Sequence, residues 1–256
     1  AAAMLEALQP NFAWAQQVKP DDLRIRTERL NYDSPNGHGK MQGLLARPAK
    51  VSGKLPGVVV IHENRGLNPY IEDVARRLAL LNFVAFAPDA LFPVGGYPGD
   101  EDKGRDLFAK QDTKKRIEDL STAVSVLKSL PEFAGKWGSV GFCFGGRLAY
   151  LAGLEKMVNK IVSFYGAGSL KPNFYQNKNV IEALCGARTG DKNLKVLAFF
   201  GNQDQSIPNS EQTQVKQALE SASISYEHHE YDAGHAYYQQ GRPNYSAEAA
   251  KMSKNV

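Results

Sequence analysis

Cysteine is scarce in this chain, which contains only Cys143 and Cys185 among 256 residues. Two cysteines do not form the disulfide framework of a small secreted protein, so the fold must depend on an apolar core. With 43% apolar residues, the chain is long enough to bury such a core. Chains of this size often fold as one α/β domain, and we expect a single domain over residues 21–256.

The chain also lacks the features of membrane and nucleic-acid-binding proteins. No apolar run approaches the length that crosses a bilayer. The net charge is +4, with both signs spread along the sequence and no basic stripe interleaved with aromatic residues, which argues against nucleic acid as a partner. The sequence indicates no metal site and no cofactor, and it does not indicate an oligomeric state.

The first residues differ from the rest of the chain. Ala1 to Leu8 is small and apolar, and Ala13-Trp14-Ala15 has the A-x-A form of secretory cleavage sites. Residues 1–20 therefore fit two interpretations equally, the remnant of an export leader or a short amphipathic helix that docks on the domain. A leader would place the protein in the periplasm, and a docking segment would be consistent with the cytoplasm.

From residue 23 onward, strand-like and helix-like segments alternate. The run Gly57 to Ile61 is β-branched without polar alternation, which is typical of a strand covered on both faces. Ile71, Val74 and Leu78 then recur at helical spacing. Such alternation predicts an α/β domain with a mainly parallel sheet flanked by helices. The predicted strands are residues 23–32, 41–47, 55–62, 83–87, 137–142, 160–164, 194–200 and 224–231, and the predicted helices are residues 69–81, 112–129, 145–154 and 208–219.

Three connections are informative. The turn between the first two strands contains Asn36-Gly37, which predicts an N-terminal β-hairpin with His38 in solvent. Residues 89–103 are rich in Gly and Pro and predict a long loop that covers the site as a lid. Residues 170–192 are polar and irregular, and Cys185 within them is expected to be a bystander.

The sequence Gly141-Phe142-Cys143-Phe144-Gly145-Gly146 joins a predicted strand to a predicted helix. Glycines on both sides of a nucleophilic side chain are what a sharp strand-to-helix turn requires, because strand and helix approach closely there. The N-terminus of the following helix points at Cys143 and favours its thiolate. The alternative is a buried structural cysteine beside a glycine-rich turn. A disulfide with Cys185 would be incompatible with the nucleophilic role.

Glu63, Cys143, Asp204 and His235 each directly follow a predicted strand. Because the carboxyl ends of parallel strands share one edge of a sheet, we expect these side chains to lie together. Nucleophile, acid and histidine in this order along the chain is the order of the α/β-hydrolases. Cys143 would attack a carbonyl, His235 would transfer the proton, and Asp204 would orient His235. Considered alone, Asp204 fits a turn-capping role equally well.

Two further elements of a hydrolase site follow from these positions. The backbone N–H groups of Phe144 and Asn64 would form the oxyanion hole. Glu63 is an additional carboxylate beside the nucleophile, where it could accept a hydrogen bond from the thiol or stabilise charged His235. His62 is expected to support the loop rather than take part in the chemistry.

Taken together, these residues resemble the dienelactone hydrolases. The similarity covers roughly residues 23–250 and implies an α/β-hydrolase fold with a Cys-His-Asp triad that cleaves a small ester or lactone through an acyl-thioester. It also implies that Glu63 keeps the resting thiol neutral until substrate binds. The residues that carry it are residues 141–146, His62-Glu63-Asn64-Arg65-Gly66, Ala87-Pro88-Asp89, Asp204 and Ala233-Gly234-His235.

The sequence departs from this family where the substrate carboxylate would bind. The dienelactone-cleaving members hold that group with two arginines, but Gln239 and Pro93 stand at the matching positions. We therefore expect a neutral substrate, with Arg65 or Arg242 as the residues that could replace the missing cations. Family members also close with an aromatic-rich helix, and residues 247–256 lack one, so we expect the chain to stop short of it. The expected substrate contacts are Arg65, Phe92, Tyr97 and Tyr237.

Two functions other than hydrolysis remain open. One is a ligand-binding protein without catalysis on the same fold, which would have no need of aligned Cys143, Asp204 and His235. The other is a thiol redox sensor, which usually has a resolving cysteine nearby.

Overall fold

The computed structural model describes residues 16–172 and 174–254. The two interpretations of the N-terminal segment fall mainly on residues 1–15, outside this part. The described chain starts with an anchored segment, in which the backbone N–H of Val18 donates to Asp73 Oδ1 at 2.8 Å. Arg76 Nε donates to the Val18 carbonyl, also at 2.8 Å. Residue 18 is therefore fixed on the helix that contains Asp73 and Arg76.

Within the described residues, eight strands form one sheet in the order β1-β2-β4-β3-β5-β6-β7-β8. The strands are β1 (Ile25–Ser34), β2 (Gly39–Pro48), β3 (Leu55–Ile61), β4 (Val84–Pro88), β5 (Phe133–Phe142), β6 (Lys160–Phe164), β7 (Lys195–Gly201) and β8 (Ser225–Tyr231). The helices are α1 (Pro69–Leu80), α2 (Glu101–Ala109), α3 (Thr113–Ser129), α4 (Phe144–Leu154), α5 (Val180–Arg188), α6 (Asn209–Ser221) and α7 (Ala247–Lys254), and Phe92–Val94 forms a short 3₁₀ helix.

The sheet is mainly parallel. β1 pairs with β2 and β2 with β4 in antiparallel fashion, whereas every pairing from β4 through β3 to β8 is parallel. This confirms the predicted α/β-hydrolase type of fold with an N-terminal antiparallel hairpin. Because β3, β5, β7 and β8 run in the same direction, the residues that follow them meet at one edge of the sheet.

Apolar side chains cover both faces of the sheet, which explains the β-branched runs without polar alternation. Val59 belongs to the cluster that packs against α3, α4, α5 and α6. Its neighbour Val60 belongs to the cluster on the opposite face, which includes Ile71 and Val74 of α1. No helix in the described ranges is long and apolar enough to span a membrane.

Two segments predicted to be irregular contain helices. α2 begins inside the predicted loop 89–103, where Asp100 Oδ1 accepts a hydrogen bond from the Lys103 N–H at 2.8 Å and caps the helix. α5 lies inside the predicted excursion 170–192 and contains Cys185; the Asn179 side chain accepts from the Glu182 N–H at 2.7 Å and caps it. The loop prediction holds for residues 89–100 apart from the 3₁₀ helix and missed only the start of α2, whereas the prediction for residues 170–192 missed the whole of α5.

The prediction of a solvated His38 was also wrong. Its Nδ1 lies 2.6 Å from Asp119 Oδ2 on α3, and its side chain is 14% exposed. The hairpin turn packs on α3 so closely that a Cβ at Gly37 would lie 1.9 Å from Asp119 Oδ1. At the other end of the described chain, residues 247–254 form α7, which contains no aromatic residue.

Candidate active site

Cys143 occupies the turn between β5 and α4. Its backbone angles, φ 53° and ψ −114°, are rare for residues other than glycine. The surrounding backbone holds it there. Its N–H donates to the Phe164 carbonyl at 3.0 Å, and its carbonyl accepts from the N–H groups of Gly146 and Ala167 at 3.0 and 3.1 Å. A backbone strained in this way persists only where its neighbours fix it, and such sites are often functional.

The glycines of this turn are required by close backbone contacts. A Cβ at Gly141 would lie 2.0 Å from the Gly145 carbonyl oxygen. A Cβ at Gly145 would lie 2.3 Å from the Ile61 carbonyl oxygen, at the end of β3. The start of α4 therefore touches the end of β3, and the loop that follows β3 lies beside Cys143.

His235 and Asp204 form a hydrogen-bonded pair. His235 Nδ1 lies 2.6 Å from Asp204 Oδ2, and the other carboxylate oxygen accepts from the N–H groups of Ser206 and Ile207 at 2.8 and 3.1 Å. Although burial favours the neutral ring, the hydrogen bond to Asp204 and the neighbouring Cys143 together raise the pKa of His235 to about 10. With Nδ1 engaged by Asp204, Nε2 is the ring nitrogen left for Cys143.

Glu63 is buried at the end of β3 and pairs with an arginine from the C-terminal part of the chain. Its Oε2 lies 2.7 Å from Arg242 Nη2. Its Oε1 is buried and has no hydrogen-bond partner among the described residues. The same Arg242 nitrogen also donates to Glu101 on α2. Glu63 thus has one oxygen paired with Arg242 and one buried oxygen without a partner in the described ranges, in the loop that touches the start of α4.

The two backbone N–H groups expected to form an oxyanion hole lie at the start of α4 and in the loop after β3. Phe144 is the first residue of α4, where an N–H has no partner within the helix. Asn64 lies in the loop after β3, which Gly145 brings against α4. In residues 16–172 and 174–254, neither N–H donates to a protein acceptor.

His62 supports this loop, as expected. Its Nε2 accepts a hydrogen bond from the Ala90 N–H at 3.1 Å, so its Nδ1 carries the proton and donates to the Glu63 carbonyl. Burial lowers the pKa of His62, which is consistent with a neutral ring. The ring therefore ties the loop after β3 to the segment after β4.

The residues predicted to contact the substrate differ in their burial and in their hydrogen-bond partners. Arg65 pairs with Asp102 at 3.1 Å and donates to the Glu101 carbonyl at 2.9 Å. Phe92 and Tyr97 are half-buried in the segment between β4 and α2. The ring of Tyr237 is fully buried, and its hydroxyl lies 2.9 Å from Ser253 Oγ of α7.

Sequence reasoning missed three buried residues around the nucleophile. Tyr165 follows β6 with φ 40°, is fully buried and packs its ring 5.2 Å from that of His235. The guanidinium groups of Arg147 and Arg116 lie 4.3 and 5.2 Å from the ring centre of Phe144. Arg147 could have been found, since it lies one helical turn after Cys143; Tyr165 and Arg116 give no such local signal.

The arrangement provides a thiol, a charged or neutral imidazole, two carboxylates and free backbone N–H groups in one place. These groups can perform nucleophilic acyl transfer. No cluster of His, Cys, Asp and Glu suited to a metal ion occurs in the part of the chain that the structure describes. Cys185 is on α5, and burial raises the pKa of its thiol to about 11, which makes it a poor redox partner.

Comparisons with known proteins agree with this chemistry. The model of the "Dienelactone hydrolase family" matches residues 41–255. An Escherichia coli K12 protein named "Putative hydrolase fragment YghX" is 58% identical over 112 residues, which make up 44% of this chain and 96% of that protein. A Synechocystis protein named "Putative carboxymethylenebutenolidase" is 32% identical over 231 residues, covering 84% of this chain and 89% of that protein. The solved structure titled "Putative Dienelactone Hydrolase from Klebsiella pneumoniae" is similar with a TM-score of 0.77 and 27% identity, over 90% of this chain and 95% of that chain.

Proposed function

We propose that this chain, which belongs to the dienelactone hydrolase family and is a hydrolase of carboxylic esters or lactones, cleaves its substrate through a thioester on Cys143. The observation that carries the proposal is the hydrogen bond between His235 and Asp204 beside Cys143. A buried acid that orients a histidine next to a nucleophile is the arrangement that acyl transfer requires.

The reaction has two halves. In the first, the Cys143 sulfur attacks the substrate carbonyl while the N–H groups of Phe144 and Asn64 hold the oxyanion. His235 gives a proton to the departing alcohol oxygen, and the acyl group remains on sulfur. In the second half, His235 takes a proton from a water molecule that attacks the thioester, and Cys143 leaves. Asp204 stabilises the imidazolium in both halves.

Glu63 controls the proton of the resting thiol in this proposal. Its unpartnered Oε1 can accept a hydrogen bond from Cys143, because Arg242 already holds Oε2 at 2.7 Å. A buried carboxylate oxygen without a donor is costly, and a thiol proton would satisfy it. The thiol then stays protonated until substrate enters, when Glu63 takes its proton and the thiolate faces the charged ring of His235.

The ion pairs of Arg242 and Arg65 favour a neutral substrate. Both arginines that could replace the missing cations are already paired, Arg242 with Glu63 and Glu101 and Arg65 with Asp102. The half-buried Phe92 and Tyr97 offer apolar surface instead. We propose small neutral esters or lactones as the substrate class.

The test is stopped-flow hydrolysis of para-nitrophenyl acetate. A burst of nitrophenolate equal to the enzyme concentration, abolished by iodoacetamide and by Cys143→Ala, is the expected result, because acylation then precedes a slower deacylation. Intact-mass measurement during the burst should show one added acetyl group. An enzyme that gives neither burst nor turnover, with the thiol still open to iodoacetamide, would instead be a binding protein or a redox protein.

A further inference from the structure

Arg242 lies between two carboxylates. Its Nη2 donates to Glu63 Oε2 at 2.7 Å and also to Glu101 Oε2. The side chains of Glu63, Arg242 and Glu101 are 4%, 16% and 13% exposed, so solvent screens these charges little. With one cation between two anions, the cluster carries a net negative charge beside the nucleophile.

Other groups hold the Glu101 carboxylate in this place. Its Oε1 accepts from Asn68 Nδ2 at 3.0 Å and from the Tyr97 hydroxyl at 3.4 Å. Its backbone carbonyl accepts from Arg65 Nη1 at 2.9 Å. Glu101 is the first residue of α2, so these contacts also fix the start of the helix that lies over the loop after β3. A Cβ at Gly104 of the same helix would lie 2.5 Å from the Arg65 carbonyl oxygen.

The nitrogen of Arg242 that Glu101 contacts decides whether a second carboxylate can bind the guanidinium group. A carboxylate binds arginine most strongly through two parallel N–H···O bonds. Two edges of the guanidinium group permit this binding. One edge is formed by Nη1 and Nη2, and the other by Nε and Nη2. Both edges include Nη2, and Glu63 and Glu101 already use that nitrogen. Arg242 therefore offers no two-point site to an incoming carboxylate while Glu101 is in place.

From this geometry we infer that Glu101 determines specificity: its carboxylate occupies the place on Arg242 that a substrate carboxylate would need, and it thereby excludes anionic esters and lactones. The inference rests on the proposed function, since it names the residue that makes the substrate class neutral. Glu101 selects substrates by the charge of their acyl or alcohol part. It has no role in the bond-breaking steps.

The test compares two esters with acyl chains of equal length. Para-nitrophenyl hexanoate is neutral, and mono-para-nitrophenyl adipate carries a terminal carboxylate. The measured quantity is the ratio of kcat/KM for adipate to kcat/KM for hexanoate. Glu101→Gln keeps the side-chain shape and the contacts to Asn68 and Tyr97 but removes the charge. We expect it to raise the ratio by about tenfold or more, mainly through a lower KM for adipate.

The chain offers a matched control one residue along the same helix. Asp102 pairs with Arg65 and its side chain is 74% exposed. Asp102→Asn removes one negative charge from α2 without touching Arg242, and its ratio should match the wild type. In the double variant Glu101→Gln, Arg242→Gln, the increase in the adipate-to-hexanoate ratio should disappear. Glu101→Met tests the same point if the glutamine variant folds poorly.

The outcomes separate this inference from the proposed function. A wild-type protein that hydrolyses neither ester contradicts the proposed function. If the wild type hydrolyses hexanoate but Glu101→Gln and Glu101→Met leave the ratio unchanged, the hydrolase stands and Glu101 has no part in specificity. An equal rise in Asp102→Asn would also overturn the inference, because it would show a general effect of net charge.

Discussion

Arg242 Nη2 donates to Glu63 Oε2 over 2.7 Å, although 179 positions separate the two residues in the chain. The pair connects the loop after β3 to the segment that follows His235. Burial alone would lower the pKa of the Arg242 guanidinium, but Glu63 and Glu101 outweigh it and raise that pKa. The cation is therefore permanent, and Glu63 keeps a fixed orientation beside Cys143.

Replacing the nucleophile should abolish activity without unfolding the protein. Cys143→Ala removes the sulfur from a turn whose backbone is held by Phe164, Gly146 and Ala167, so little apolar contact is lost. We expect no turnover of para-nitrophenyl acetate and a thermal midpoint close to the wild type. Cys143→Ser should retain only a small residual rate, because the site is arranged for a more acidic nucleophile. Turnover at the wild-type rate in Cys143→Ala would refute the assignment.

The close contact between α4 and β3 predicts opposite effects for two glycines. Gly145→Ala would push a Cβ against the Ile61 carbonyl oxygen, 2.3 Å away, and should lower the free energy of unfolding by on the order of 1–3 kcal/mol. Gly186→Ala, at an exposed position of α5, meets nothing within 4 Å and should raise this free energy by about 0.5–1 kcal/mol. Urea denaturation measures both. A Gly145→Ala variant as stable and active as the Gly186→Ala variant would show that the turn does not need the close contact between α4 and β3.

Titration of His235 should show how Asp204 acts. The ordinary pKa of the ring is 6.5, and the folded protein raises it to about 10. A raised pKa stabilises the fold fully below about pH 6.5, and this stability is lost as the pH rises towards 10. We expect NMR to show a ring that titrates near the upper value. Asp204→Asn should bring the pKa down and flatten the fall of unfolding free energy over that range. A ring that titrates near 6.5 in the wild type would contradict the role given to the Asp204 hydrogen bond.

Local patterns predicted the fold and the edge of the sheet where the site lies, but not its contacts between distant segments. The β-branched run around Val59 and the glycines around Cys143 each carry their signal within a few residues. The Glu63–Arg242 pair, the packing of Tyr165 on His235 and the burial of Tyr237 all depend on tertiary contacts. His38 was misjudged for the same reason, since its partner Asp119 lies 81 positions away.

The segment between β4 and α2 should set the choice of acyl group. Tyr97 is half-buried there, and its hydroxyl lies 3.4 Å from Glu101 Oε1. Tyr97→Ala should change the ranking of acetate, butyrate and hexanoate esters more than it changes the rate on acetate, because only longer acyl groups reach the ring. Tyr97→Phe keeps the ring and serves as the control. If the ranking stays the same and only the thermal midpoint falls, the segment is structural.

The site should discriminate between neutral and carboxylated substrates. Gln239 and Pro93 cannot supply a cation, and Gln239 is fully buried. Arg242 is held by two carboxylates, and Arg65 reaches Asp102, whose side chain is 74% exposed. Losing a charged contact to a buried partner typically costs on the order of 2–5 kcal/mol. With both Arg242 and Arg65 engaged by carboxylates, the enzyme should discriminate strongly against a carboxylated substrate.

We therefore expect the wild type to hydrolyse a neutral lactone with a higher kcat/KM than the same lactone bearing a carboxylate. Raising the salt concentration should change the difference little, because the side chains of Glu63 and Glu101 are only 4% and 13% exposed and salt screens buried charges weakly. Arg65 is the residue that could reverse the result, since its partner Asp102 is exposed and such a pair is weak. If the carboxylated lactone is preferred and Arg65→Met removes that preference, Arg65 binds the anion and the substrate class is not neutral.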